Sequence, residues 1–179
     1  MFKKVCLATL LAVPAISMAE GLSYNYVEGS YVIPEEGDGF RAAGSFALTP
    51  NVFAVAEGSY YDFGSDVTGT EIIGQLGYRH ALNPTMDLNV TGGVIYQEVE
   101  VGSASANDTG FTFGGLLRAQ LAPQLELNGG IQYIDIADSS DVGFQVGAVY
   151  AFTPSLAAVG GGRFIDDSET FNIGIRYNF

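Results

Sequence analysis

One five-residue pattern occurs four times, as LTPNV at 48–52, LNPTM at 82–86, LAPQL at 121–125 and FTPSL at 152–156. Each copy places a proline between small or polar residues and closes with an apolar residue on both sides. Proline holds φ near −65° and donates no backbone hydrogen bond, so it suits a tight turn and not the middle of a sheet. The prolines stand 34, 39 and 31 residues apart, enough for two strands, one further turn and little else.

The intervening turns have a different chemistry. They fall at PEEGDG (34–39), GSDVTG (64–69), GSASANDTG (102–110), DSSD (138–141) and DDSE (166–169), all acidic and rich in Gly, Ser and Asp. Four proline turns and five acidic loops divide the chain into ten strands, over 21–33, 39–48, 52–63, 70–82, 86–101, 109–121, 125–137, 142–152, 156–165 and 170–179. An even strand number, short turns at one end and longer loops at the other are the plan of an outer-membrane barrel. A solenoid would repeat side-chain motifs as well as turns. The expectation is an all-β fold, a closed antiparallel up-and-down transmembrane β-barrel of ten strands, with eight as the alternative count.

Hydropathy supports strands over helices. The chain is 47% hydrophobic, yet beyond residue 20 no apolar run reaches the length a spanning helix needs. Alternation then assigns the faces. In the sixth strand Phe111, Phe113, Leu117 and Leu121 oppose Thr112, Arg118 and Gln120; in the fourth, Ile72, Leu76 and Tyr78 oppose Glu71, Gln75 and Arg79. The seventh sets Leu125, Leu127, Ile131 and Tyr133 against Glu126, Asn128 and Gln132. Charges at mid-strand and a bulky apolar set indicate lipid outside and a polar lumen within. In hydrocarbon every backbone polar group needs a protein partner, so the last strand must pair with the first. The first strand is irregular: Glu28 shares parity with Tyr24 and Tyr26, which predicts a bulge near Val27–Gly29 that turns Glu28 inward and Tyr31 outward.

Arg41, Arg79, Arg118, Arg163 and Arg176 can all be placed in the lumen, together with Glu57, Glu71 and Glu126, and with Glu28 given the bulge; in the ninth strand Gly160–Gly162 hide the face and Arg163 alone points to the lumen side. A charge facing lipid at mid-depth costs about 2–4 kcal/mol, which accounts for the segregation. Ten strands leave little free width once side chains enter, so the reading is a lumen filled by Arg–Glu pairs, with a narrow channel for small solutes or ions as the alternative. Aromatics band at both strand ends: Tyr60, Tyr96, Phe111, Tyr133, Phe144 and Phe171 near the acidic loops, and Phe46, Tyr78, Phe152, Tyr177 and Phe179 near the proline turns. Such belts mark membrane interfaces.

The amino terminus, MFKKVCLATLLAVPAISMAE, carries Lys3 and Lys4, an apolar run from Val5 to Ile16 and the small residues of a cleavage site. That is a signal peptide, read here as residues 1–19 with cleavage after Ala19, and 20–179 as the barrel domain. Cys6 and both lysines leave with it, so the remainder has no thiol and sets five arginines against twenty acids, a net charge of −15. This balance excludes nucleic acid as a partner. His80, the only histidine, lies beside the LNPTM turn without a positioned catalytic partner, and no enzyme activity is expected. No cofactor and no dedicated metal site is expected either. Asp62, Asp66, Asp138, Asp141, Asp166 and Asp167 in the acidic loops offer carboxylate oxygens for weak binding of Ca²⁺ or Mg²⁺.

The ending FNIGIRYNF alternates throughout. Its Asn172-x-Gly174-x-x-Tyr177-x-Phe179 resembles the carboxyl-terminal insertion signal of outer-membrane barrels, which implies recognition by the barrel assembly machinery. The chain beyond the leader resembles small OmpX- and OmpA-like barrels in plan, and SYNYVEGSY (23–31) is similar to the start of the diffusible-signal-regulated outer-membrane proteins. The resemblance implies a monomer in the outer membrane of a Gram-negative envelope, in contact with its lipids and lipopolysaccharide. No peptidoglycan-binding domain is expected after the barrel, unlike in full-length OmpA-type proteins.

Overall fold

A computed structural model describes residues 22–166 and 168–179. Ten strands follow one another: β1 (Tyr26–Pro34), β2 (Asp38–Ala47), β3 (Val52–Gly64), β4 (Val67–Asn83), β5 (Met86–Val101), β6 (Ala104–Ala122), β7 (Leu125–Ile136), β8 (Ser139–Ala151), β9 (Leu156–Ile165) and β10 (Ser168–Asn178). Each pairs antiparallel with its sequence neighbours, and β10 pairs with β1 to close the barrel. Closure leaves no open edge around the wall, as a hydrocarbon environment requires.

The proline turns show how composition sets local structure. In LTPNV and FTPSL the residue before proline is Thr, and its hydroxyl accepts the amide of the residue three positions on: Val52 to Thr49 and Leu156 to Thr153, both at 3.0 Å. Backbone bonds from Leu48 and Thr49 to the Val52 carbonyl, and from Phe152 and Thr153 to that of Leu156, complete two turns of the same design. The other two proline turns are tighter and follow register shifts at Ala81/Asn83 and Gln120/Ala122.

At the opposite end the acidic connections are short, and shorter than the stretches read as loop. Gly102–Ser103 and Ala137–Asp138 are two-residue connections, and Ser65–Asp66 is another. Left-handed backbone at Ser65, Asp66, Gly102, Ala137 and Asp166 closes these hairpins with the twist of the flanking strands. Residues read as loop are strand instead: β4 begins at Val67 and β6 at Ala104, giving strands of 17 and 19 residues. About ten residues suffice to span a bilayer. The surplus raises the β4–β5–β6 region above the rim, where Ala104–Gly110 pair with β5 and the β6–β7 ladder starts only at Phe111.

The first strand corrects a second expectation. β1 keeps an unbroken register with both β2 and β10 from Tyr26 to Val32, so there is no bulge near Val27–Gly29. Glu28 points inward and Tyr31 outward because Tyr24 and Tyr26 share the inward parity with Glu28. Their rings meet guanidinium groups there, as described below, which removes the need for a switch of face.

Apolar side chains cover the outside. Phe40, Leu76, Phe111, Phe144 and Ile173 are each more than 60% exposed. Phe46, Tyr78, Tyr177 and Phe179 near the proline turns, and Tyr60, Tyr133 and Phe171 near the acidic turns, are exposed too. Two small apolar clusters lie inside. Ile73, Ile95 and Ile134 pack with Ile136 and Ile165, while Val149, Ala157 and Val159 pack with Ala151. The barrel wall curves at inward glycines: a Cβ at Gly93 would overlap the Gly74 carbonyl, and one at Gly174 the Gly29 carbonyl. Glycine at such positions lets adjacent strands bend sharply against each other.

Candidate functional site in the barrel interior

The interior charges form three groups. The first is a ladder over four adjacent strands at the seam. Glu28 on β1 accepts from Arg176 on β10 at 2.9 Å and from Arg41 on β2 at 3.0 Å, and Arg41 lies 3.8 Å from Glu57 on β3. One carboxylate thus ties both strands that flank it. The Arg176 guanidinium also sits 4.0 Å above the Tyr26 ring, a cation–π contact strengthened by exclusion of water.

The second group crosses the lumen. Arg163 on β9 donates to Glu71 on β4 at 3.0 Å, and to the Tyr61 hydroxyl at 3.3 Å. Gln97 on β5 donates to the second oxygen of Glu71 at 2.9 Å. The isoleucine cluster, drawn from β4, β5, β7 and β9, spans the same interior.

The third group lies toward the proline turns. Arg118 on β6 grips Glu126 on β7 through two parallel bonds of 2.7 and 2.9 Å. Both side chains are almost fully buried, and the fork-to-fork geometry is the strongest form of this pairing. Arg79 lies 3.5 Å from Asp87. Between Arg79 and Arg118 sits the Tyr24 ring, 5.2 and 4.6 Å from their guanidinium carbons. Its hydroxyl lies 3.0 Å from Asp87 Oδ2 and 2.7 Å from Asn89 Oδ1, its single proton shared between the two acceptors. Phe53 packs on the same ring at 4.8 Å.

The sequence-derived lumen residues Arg41, Glu57, Glu71, Arg79, Arg118, Glu126, Arg163 and Arg176 therefore occupy one interior, divided among these groups. Sequence reasoning passed over Asp87, Tyr24 and Phe53. Parity alone carried the signal: Asp87 sits in register with Arg118, and Phe53 shares its face with Glu57. Between the cross-lumen pair and the Tyr24 layer lies a cavity of about 220 Å³, walled in part by the carboxamides of Gln75, Asn128, Gln132, Gln145 and Asn172.

The remaining candidate residues lie elsewhere. Asn172, Gly174 and Arg176 face inward from β10, while Tyr177 and Phe179 face outward. Among the loop acids, Asp62 accepts the Gly64 amide and Asp141 accepts from Ser139, local turn bonds. Asp66 and Asp166 are turn residues with left-handed backbone, and Asp167 lies outside the described residues. Among the described residues no three His, Cys, Asp or Glu side chains converge to hold a metal ion. His80 is exposed, in register with Leu88.

No protein-family model matches the chain, and no curated protein sequence does. Solved structures share its architecture. A KdgM porin in complex with disordered oligogalacturonate superposes with a TM-score of 0.53 at 13% identity, covering 86% of this chain and 99% of that one. The NanC porin gives 0.53 at 9% identity, over 86% and 99%. The outer-membrane protease OmpT from Escherichia coli gives 0.56 at 11% identity, over 87% and 94%. This is the fold of the outer-membrane β-barrels. Porins and a protease share it, so the wall does not assign an activity, and any role must be argued from the interior and the rims.

Proposed function

We propose that this protein is an integral outer-membrane barrel whose lumen is closed by its own side chains, and that it serves a structural or surface-interaction role. One observation carries the reading. Each of the five interior arginines meets a carboxylate, among Glu28, Glu57, Glu71, Asp87 and Glu126, and the Arg163–Glu71 pair joins opposite walls. Among the described residues, five interior cations against five anions leave no net charge to attract an ion, and the Arg163–Glu71 bridge crosses the width that ten strands enclose. The rim beyond β4–β6 is left for contact with partners. Its Glu98, Glu100 and Asp108 extend the acidic surface toward cationic ligands or toward anionic lipopolysaccharide through divalent cations. In this reading the acidic turns are external, the proline turns periplasmic, and residues 1–19 a leader removed on export. Outer-membrane lipids and the barrel assembly machinery are its partners, and it performs no catalysis.

A channel is the second reading, favoured by the polar cavity and by the fold shared with two porins. An acidic oligosaccharide such as that bound to the KdgM porin fits poorly here, because every arginine is already paired. Planar-bilayer recording separates the two readings. Silence at high protein load supports the closed barrel. Reproducible ion-selective steps, altered by Arg118→Ala, overturn it.

A further inference from the structure

Leu22–Asn25 precede β1 and form no ladder of their own. Asn25 is fixed at the seam, its side chain accepting the Ala47 amide at 2.8 Å and its carbonyl the Phe179 amide at 3.1 Å. Ser23 and Tyr24 reach the far wall: the Ser23 carbonyl accepts from Arg118 on β6, and the Tyr24 hydroxyl meets Asp87 and Asn89 on β5. In a ring of ten, β6 stands opposite β1. The segment thus crosses the proline-turn mouth.

The cavities record that crossing. Leu22 and Ser23 line two mouth cavities, one of about 110 Å³ beside Pro123 and Pro154 and one of about 280 Å³ beside Pro50 and Arg79. Tyr24 and Phe53 line both the second of these and the central cavity, so they form the partition between them. Tyr24 is 6% exposed and is held by two hydrogen bonds and two guanidinium contacts. Above it the central cavity presents carboxamides, and the charged groups of its wall are neutralised in pairs. Carboxamides both donate and accept, which matches hydroxyl and amide groups.

We infer that Leu22–Asn25 is a strap across the proline-turn mouth with Tyr24 as its stopper, and that the chamber behind it takes small uncharged solutes bearing hydroxyl or amide groups. The inference rests on the closed interior proposed above, but the two fail separately. Steady conduction by the unaltered protein defeats the closed interior, whereas the strap is tested by access to the chamber.

Cys6 is the chain's only cysteine. In a Cys6→Ser background, Gln145→Cys places a thiol in the chamber wall, to be labelled with hydroxyethyl methanethiosulfonate and with its anionic sulfonatoethyl and cationic trimethylammonium-ethyl analogues. Rates are normalised to those of a free thiol. Adding Tyr24→Ala should speed uncharged labelling about tenfold, the equivalent of about 1.4 kcal/mol of closure. Tyr24→Phe keeps the ring and loses both hydroxyl bonds, so a smaller rise of about threefold is expected. Folding of each variant is checked by its heat-shifted gel migration, and Tyr24→Phe carries the test if Tyr24→Ala does not fold. Equal rates with and without the Tyr24 substitution overturn the stopper. Charged reagents outpacing the uncharged one overturn the assignment of solute class.

Discussion

Arg163 and Glu71 are bonded at 3.0 Å from strands that stand opposite each other in the ring, β9 and β4. A pair between neighbouring strands can seal only a strip of wall, but this one runs across the lumen. Truncating both partners, Arg163→Ala with Glu71→Ala, removes the bridge without stranding a charge. Bilayer recordings of the double variant should show conductance steps that are absent from, or smaller in, recordings of the unaltered protein. Unchanged silence in a folded double variant would assign closure to the isoleucine cluster and Tyr24 instead.

Arg118 and Glu126 make the contrasting case, on adjacent strands and nearly fully buried. Removing one member of a buried pair leaves an uncompensated charge, at a cost of about 3–5 kcal/mol. Glu126→Ala should therefore lower the unfolding free energy in detergent or vesicles by about that amount. Arg118→Met with Glu126→Leu replaces the pair by apolar bulk and should restore most of it. Denaturant titration followed by tyrosine fluorescence measures both. A Glu126→Ala variant as stable as the parent would mean that Arg118 finds water or another acid.

Most of the wall was legible because alternation and proline are backbone-level signals. The strands read as 86–101 and 156–165 have those bounds in the structure. The acidic end was less legible, since Ser, Asn, Asp and Gly look like loop by composition whether or not they pair. GSASANDTG holds a two-residue turn with strand on both sides, and only the ladder from Val101–Ala104 to Ile95–Gly110 reveals it. Tyr24 was missed for a different reason. A tyrosine counts as apolar in an alternation pattern, yet its hydroxyl and ring face both suit a lumen of carboxylates and guanidiniums. Treating it as apolar created the need for a bulge that β1 does not have.

The lipid-facing wall gives a depth-dependent prediction. Ile173 is 63% exposed on the outside of β10, at a position flanked by Tyr31 of β1 and Gly160 of β9. Ile173→Arg should cost about 2–4 kcal/mol of folding free energy in phospholipid vesicles if it lies near mid-bilayer. Asn172→Arg, one residue away but facing the chamber, should cost less because water and the Glu28 region can receive it. Equal costs for the two would contradict the assignment of faces.

Gly174 separates two explanations of the carboxyl-terminal pattern. As part of an insertion signal it would act on recognition during assembly, together with Phe179. In the folded barrel it also sits where β10 meets β1, and any Cβ there would overlap the Gly29 carbonyl and crowd Ser30. Phe179 is 60% exposed, and its folded-state tie is the backbone bond from its amide to Asn25. The two substitutions should then differ. Gly174→Ala should destabilise the closed barrel wherever it is made, including after refolding into detergent without any assembly machinery. Phe179→Ala should refold in detergent nearly as well as the parent but insert poorly in cells. Gly58 is the control, since a Cβ there meets nothing within 4 Å, and Gly58→Ala should be neutral in both settings. Heat-shifted gel migration reads the first comparison and outer-membrane yield the second. Normal refolding of Gly174→Ala would leave the seam without its steric requirement, and normal membrane yield of Phe179→Ala would remove the signal reading of the terminal aromatic.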